Sequence, residues 1–310
     1  MGDASTRRYY RLGQTDYPQT LILMQLGDDN HAQGDLFHQQ QGLFREIGLP
    51  VPQIHHYDEK QGLMFLEDCG DMTLQLMVQK KGLSACLIYY RKAIDWLLKL
   101  QEATISAGRH YPAFHWAFDT LKFTEELEFF AVHMLEHMRH SEFAPDERRN
   151  LRMEFQKLAA VLAAEPRYLT HRDYHSRNIM IIGDELKILD FQDARLGLCQ
   201  YDLASLLRDS YVQLPDKMID ELLTYYLNKR GQYKLPPIEN DQFQRLFTLT
   251  CVQRNLKALG TFAYQAVKRQ NDVYLPYIPP TLQYVNLNLR RFPETAGLHK
   301  ILASYLPELN

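Results

Sequence analysis

The hydrophobic positions change period along the chain. In residues 1–68 they come in short runs between turn formers. Leu21-Ile22-Leu23-Met24 predicts a buried strand, bounded by Pro18 and by Gly27-Asp28-Asp29-Asn30. Positions 31–47 predict a helix that stops at Gly48, with Pro50 just beyond. Gly62-Leu63-Met64-Phe65-Leu66-Glu67-Asp68 predicts another strand, running into the turn Cys69-Gly70-Asp71. From residue 72 the spacing turns helical. Thr73 opens one helix, and 84–102 repeats Leu87, Tyr90, Ile94, Leu97 and Leu98 at helical intervals; 119–138 and 147–164 do likewise. A strand pair at 178–182 and 185–190, turning on Gly183-Asp184, interrupts this pattern. Helices resume at 202–212, 216–229, 241–269 and the C-terminus, and the Pro-rich stretch 270–282 predicts a loop. There is no internal repeat and no low-complexity tract. The expected architecture is α+β in two lobes: a small β-rich N-terminal lobe over 1–68 and a large, mostly helical C-terminal lobe over 69–310.

Composition narrows the classes. The 310 residues are 45% apolar and 24% charged, ordinary values for a folded chain, which exclude a disordered one. A net charge of −3 gives no broadly basic surface, so nucleic acid is not an expected partner. No window approaches the ~20 apolar residues of a membrane span, and the residues after Met1 carry no apolar signal-peptide core. The cysteines at 69, 86, 199 and 251 lie far apart and form no metal or disulfide pattern. Reduced thiols in a cytoplasmic protein are expected.

The chemistry is concentrated in 169–193. A polar loop, His171-Arg172-Asp173-Tyr174-His175-Ser176-Arg177-Asn178, carries an acid and, five residues later, an amide. The hairpin that follows ends on a further acid in Asp190-Phe191-Gln192-Asp193. Three oxygen-bearing side chains can thus converge at one strand edge. Hard donors of this kind suit Mg²⁺, which keeps waters and takes substrate phosphate oxygens. One acid can serve the metal while the other accepts a proton from an incoming hydroxyl, the division of labour that phosphoryl transfer needs.

This pattern of H-R-D, a downstream Asn and a D-F acid resembles the protein-kinase-like fold. His175, two residues after Asp173, places the resemblance with the aminoglycoside phosphotransferase and choline kinase group. Asp202, in the helical stretch opening at Tyr201, comes only 12 positions after Asp190, too few for a peptide platform, so the acceptor is expected to be a small molecule. The resemblance implies that Asp173 is the catalytic acid–base group and that Asn178 and Asp190 hold Mg²⁺. It implies that Asp202 braces the loop and that His171 is a structural hydrogen-bonder. It fits Gly2 to Leu12 to the phosphate-covering turn, with Gly2, Ala4, Ser5, Thr6 and Arg7 against ATP, and sets backbone groups of Phe65 to Glu67 against adenine. Two features depart from the family. The strand before the phosphate-covering turn is absent from the sequence, and Met24 stands near the position of the usual strand lysine, for which Arg7 or Arg8 can substitute. Glu46 lies too late in its helix to be the partner of such a lysine.

The N-terminal Gly2-Asp3-Ala4-Ser5-Thr6-Arg7-Arg8-Tyr9-Tyr10-Arg11, Tyr201-Asp202-Leu203-Ala204-Ser205-Leu206-Leu207-Arg208-Asp209 and Gln253-Arg254-Asn255-Leu256-Lys257 resemble, more narrowly, the anomeric kinases of N-acetylmuramate and N-acetylglucosamine. That branch also lacks the lysine. The resemblance implies phosphorylation of a sugar C1 hydroxyl in cell-wall recycling, with a nucleotide and a sugar as partners. His175, Asp193 and Asp209 then become candidates for acceptor binding, and Arg254 and Lys257 for a lactyl carboxylate. The cluster Phe114-His115-Trp116, with Phe118 and Phe123, is either a sugar-stacking surface or helix-end core. An aminoglycoside or choline-type acceptor and a nucleotide-binding pseudokinase are the alternatives.

Overall fold

A computed structural model gives the fold and describes residues 7–14, 17–27 and 31–310. In chain order the N-terminal part holds β1 (Arg8–Gln14), β2 (Tyr17–Gln25), α1 (His31–Glu46), β3 (Ile54–Asp58) and β4 (Leu63–Glu67). The strands form one antiparallel sheet in the order β1-β2-β4-β3. Alternate residues of β4, Met64 and Leu66, are buried, and Met64 lies opposite the buried Met24 of β2. The strand lysine's place is therefore taken by a core residue.

Two strands of this sheet were not legible in the sequence. β1 occupies the second part, residues 8–12, of the stretch expected to be a phosphate-covering turn, and β3 reads Ile-His-His-Tyr-Asp. Both are edge strands. Residues 8–13 of β1 are all exposed, so no burial period marks it. Gly2, Ala4, Ser5 and Thr6 lie outside the described residues.

The remainder is mostly helical: α2 (Leu74–Lys81), α3 (Leu83–Ser106), α4 (Thr120–Phe130), which runs on as a π-helical segment Ala131–Met138, and α5 (Pro145–Ala163). Next come β5 (Tyr168–Thr170), the hairpin β6 (Ile179–Ile182) and β7 (Glu185–Ile188), and β8 (Arg195–Gly197). α6 (Gln200–Leu207), α7 (Asp216–Arg230), α8 (Asn240–Arg269), α9 (Ile278–Leu289) and α10 (Ala296–Tyr305) complete the chain. The expected helix 202–212 ends at Leu207, which leaves Asp209 in the following turn. The expected loop 270–282 is instead a 3₁₀ turn, Asp272–Tyr277, leading into α9. Pro279 and Pro280 sit in the first turn of α9, where a missing N–H costs nothing, so they start that helix rather than break one.

Two packing features position the site. α1 rests on the segment after Asp190: the Phe37 and Phe44 rings lie 4.8 and 5.5 Å from that of Phe191, and the Gln40 amide donates to the Ala194 carbonyl. α8 lies directly against α4 at Gly260, where an added Cβ would stand 2.7 Å from the Phe130 Cα. Between Asp190 and α6 the chain is a 3₁₀ turn, Phe191–Asp193, followed by β8, which pairs with β5. The four cysteines are buried free thiols. Among the described residues no helix is long and apolar enough to cross a membrane.

Candidate active site

The loop between β5 and β6 is held by two buried acids. Asp202, in the first turn of α6, accepts the backbone N–H groups of His171 (2.6 Å) and Arg172 (3.0 Å) on its two oxygens. Asp209 accepts those of Ser176 (2.9 Å) and Tyr211 (2.8 Å). Burial pushes the Asp202 carboxyl up to about 7 and that of Asp209 to about 6, against the pull of these donors. Asp209, expected to bond a sugar hydroxyl, thus spends both oxygens on backbone. Arg172 has a left-handed backbone (φ 85°), a conformation held by the Asp202 contact. Tyr174 anchors the loop from below by donating to the Ala93 carbonyl.

His171 is fully buried, with Nε2 2.9 Å from the Leu189 carbonyl. Burial lowers it to about 4, so the folded chain keeps it neutral. The unfolded chain protonates a histidine near 6.5. Between those values the unfolded state therefore holds one more proton, and stability falls as pH drops from about 6.5 towards 4, by about 1.4 kcal/mol per pH unit. His175, Asp202 and Asp209 titrate over the same range, so the His171 share is read by difference: in urea titrations the parent's stability is expected to fall relative to that of His171→Asn by about 1.4 kcal/mol per pH unit as the pH drops.

Asp190 also has a left-handed backbone (φ 64°), which turns its carboxylate towards the loop. Gln192 donates to one oxygen (2.7 Å), and the Asn178 amide lies 3.4 Å from the other. The same Asn178 nitrogen donates to the Asp173 carbonyl (2.9 Å). With its nitrogen committed, Asn178 has its carbonyl oxygen to offer a cation. Surrounding protein raises the Asp190 carboxyl, and the charge of Asp173 adds to this. Among the described residues no cluster of three acidic, His or Cys side chains forms a closed metal cage. One amide oxygen and one carboxylate fit Mg²⁺, which takes one or two protein oxygens and completes its shell with waters and nucleotide phosphates.

Asp173 faces a different set of neighbours. Lys257 Nζ lies 2.9 Å from its Oδ1, and Arg254 Nη1 lies 3.5 Å from the same oxygen. Arg254 also donates to the Tyr201 hydroxyl (2.8 Å) and to Ser205 Oγ (2.7 Å). Burial opposes the Asp173 charge, but Lys257, Arg172, Arg254 and His175 outweigh it and hold the carboxyl well below its ordinary range. Lys257 is shifted down by burial, against the attraction of Asp173. Arg172 is paired with Asp193 at 2.8 Å and with Glu126 at 3.6 Å. His175 packs edge-on to Tyr211, and burial holds it down to about 3. Asp173, His175, Arg254 and Lys257 border a cavity of about 100 Å³ whose walls also include Ser205, Asp209 and Tyr211.

The sequence-predicted residues therefore separate into groups. Asp173, Asn178 and Asp190 come together, with His175, Arg254 and Lys257 on the cavity side. Asp193 is occupied by Arg172. Arg7 lies over the Phe37 ring, and its charge is felt at Asp190. β4 is an internal strand, so Phe65 is paired on both sides, and the Glu67 amide donates to the Gln53 carbonyl. The Glu67 carboxylate instead takes Lys187 from β7 at 2.7 Å. Glu46 accepts from Tyr111. Phe118 and Phe123 are fully buried, and Phe118 stacks on Tyr201, so they are core supporting α6. Sequence reasoning missed Tyr201 and Ser205 as the groups that fix Arg254, and Glu126 with Gln253 beside them (2.8 Å). The available signal was the polar run Gln253-Arg254-Asn255 inside the buried face of α8.

Comparison with known proteins adds to this geometry. The profile of the family described as "Phosphotransferase enzyme family" (APH) matches residues 2–236. An N-acetylmuramate/N-acetylglucosamine kinase of Neisseria meningitidis serogroup B is 32% identical over 302 residues, covering 97% of this chain and 87% of that protein. A protein of the same name from Pseudomonas aeruginosa is 30% identical over 309 residues, covering 99% and 87%. Among solved structures, a choline/ethanolamine kinase family protein from Mesorhizobium loti superposes with a TM-score of 0.60 at 16% identity, covering 97% of this chain and 93% of that one. ADP-bound aminoglycoside phosphotransferase APH(2'')-Ib gives 0.58 at 14% identity, covering 90% and 93%. The fold is thus the bilobal α+β fold of protein-kinase-like phosphotransferases.

Proposed function

The chain belongs to the phosphotransferase enzyme family, and from that footing we propose that it transfers the γ-phosphoryl group of ATP, with Mg²⁺, to the anomeric hydroxyl of N-acetylmuramate and N-acetylglucosamine. The reading places the enzyme in the cytoplasm, in the recycling of cell-wall sugars. Residues 1–68 form its nucleotide lobe, and 69–310 form the lobe carrying the catalytic loop and acceptor site. The observation that carries it is the position of Asp173: it borders the cavity, and its main-chain carbonyl accepts from the Asn178 amide, which lies 3.4 Å from the Asp190 carboxylate. Relatives covering nearly the whole chain, all named for the same two sugars, support the choice of acceptor.

In this mechanism the acceptor hydroxyl enters from the cavity and donates to Asp173. As the oxygen attacks the γ-phosphorus its proton passes to Asp173, and the bond to the bridging oxygen breaks to release ADP. Mg²⁺ bound through Asn178 and Asp190 would neutralise charge on the phosphates. A carboxylate surrounded by cations is a weak base. It suits a hemiacetal hydroxyl, which is more acidic than an ordinary alcohol.

The test is transfer from Mg²⁺-ATP to N-acetylmuramate, N-acetylglucosamine, kanamycin, choline and no acceptor. Acid-labile phosphate on the two amino sugars is the expected product. Turnover of kanamycin or choline alone would overturn the acceptor assignment. ATP binding with no turnover on any acceptor would mark a pseudokinase.

A further inference from the structure

Lys257 is the group nearest the acid, and its place in the fold is unusual. It projects from α8, an element 84 residues away in sequence from Asp173, and its side chain is only 16% exposed. Arg254, one turn earlier on α8, reaches the same Oδ1 but divides its guanidinium between Tyr201 and Ser205. Around the pair stand Arg172 and His175 from the loop and Glu126 from α4. Both cationic contacts fall on one carboxylate oxygen, Oδ1, and neither falls on Oδ2. A lysine bound in this way already has a carboxylate partner within the protein.

We propose that Lys257 is a positioning residue for phosphoryl transfer: its ammonium clamps Oδ1 of Asp173 and thereby aims Oδ2 at the hydroxyl of a sugar in the adjoining cavity. This rests on the sugar-kinase reading above. During the step the acceptor proton moves to Oδ2, the oxygen–phosphorus bond forms, and the bond from phosphorus to the bridging oxygen breaks with its electron pair leaving on ADP. Lys257 keeps its protons throughout. The clamp acts on the acid and not on the sugar, so it serves both amino sugars alike, whether or not they carry a lactyl carboxylate.

Steady-state kinetics of the full chain and of Lys257→Ala and Lys257→Arg, with N-acetylglucosamine and with N-acetylmuramate, test this. For Lys257→Ala, kcat is expected to fall about 100-fold with both sugars, as loss of alignment at the reacting centre does, while each KM stays within roughly threefold. Lys257→Arg is expected to recover about tenfold of that loss, and added ethylammonium to restore part of the Lys257→Ala activity. A KM that rises for N-acetylmuramate alone, with kcat intact, would make Lys257 a carboxylate receptor and overturn the proposal. Equal losses that neither Arg nor the amine relieves would reduce it to a structural residue. If Lys257→Ala does not give a folded protein by circular dichroism, Lys257→Gln carries the same comparison. A parent enzyme that phosphorylates neither sugar would remove the sugar-kinase reading, a failure distinct from any behaviour of the variants.

Discussion

Asp173→Asn is expected to lower kcat about 1,000-fold, within the range that a positioned general base supplies, while ATP affinity changes by no more than about threefold. The substitution preserves shape and removes only the charge and the proton-accepting capacity. Nucleotide contacts made elsewhere are untouched, so calorimetric titration with ATP separates this outcome from simple loss of folding. A second consequence follows from the neighbours. Lys257 and Arg254 are buried and lose their counter-charge, and stripping one partner from a buried ion pair is costly, about 3–5 kcal/mol in the severe cases. Here Arg254 retains Tyr201 and Ser205, so the stability loss should fall below that range and appear as a modest drop in Tm. An Asp173→Asn enzyme as fast as the parent would refute the assignment of the base.

Gly260→Val is expected to destabilise the fold by about 3 kcal/mol, the upper end for overpacking, and to lower turnover with it. The added Cβ would meet Phe130 Cα at 2.7 Å and Phe130 N at 2.9 Å, both main-chain atoms that no rotamer change can move away. α8 must retreat from α4, and it carries Arg254 and Lys257 with it. A shift near 1 Å at a reacting centre can cost about 100-fold in rate. Gly231→Ala provides the control: its Cβ would meet nothing within 4 Å and its φ is −63°. It should leave both melting temperature and kcat close to the parent's. Differential scanning fluorimetry and initial rates suffice for both variants.

How far the fold could be foreseen depended on where each element buries its residues. α1, α3, α5, α7 and α8 each bury one side or more, and their periods were plain in the sequence. β1 and β3 lie at the edges of the sheet with much of their surface in water, and an exposed strand leaves no alternation to find. α9 was hidden by prolines that break helices in the interior but begin them at the first turn. The site divides similarly. His171 to Asn178 and Asp190 lie in one short stretch, so their convergence followed from spacing alone. The meeting of Lys257 with Asp173 depends on how α8 crosses α4 at Gly260, a tertiary fact with no local signature. Asp209 and Asp193 were identified by charge, but the number of backbone and arginine partners already waiting for them could not be counted from the sequence.

The chain between Asp190 and α6 has a consequence for how the enzyme's output is governed. Enzymes that act on protein substrates commonly gate themselves by ordering a long segment at this point, often through a new phosphate charge. Here those few residues are already tied down: Leu196 N donates to the Trp116 carbonyl, Phe118 N donates back to Leu196, and Thr170 Oγ1 donates to the Arg195 carbonyl. Nothing in the stretch is left to be ordered, so covalent marking there has no slack to take up. A gate built from this stretch would first have to break those hydrogen bonds, the reverse of an ordering switch.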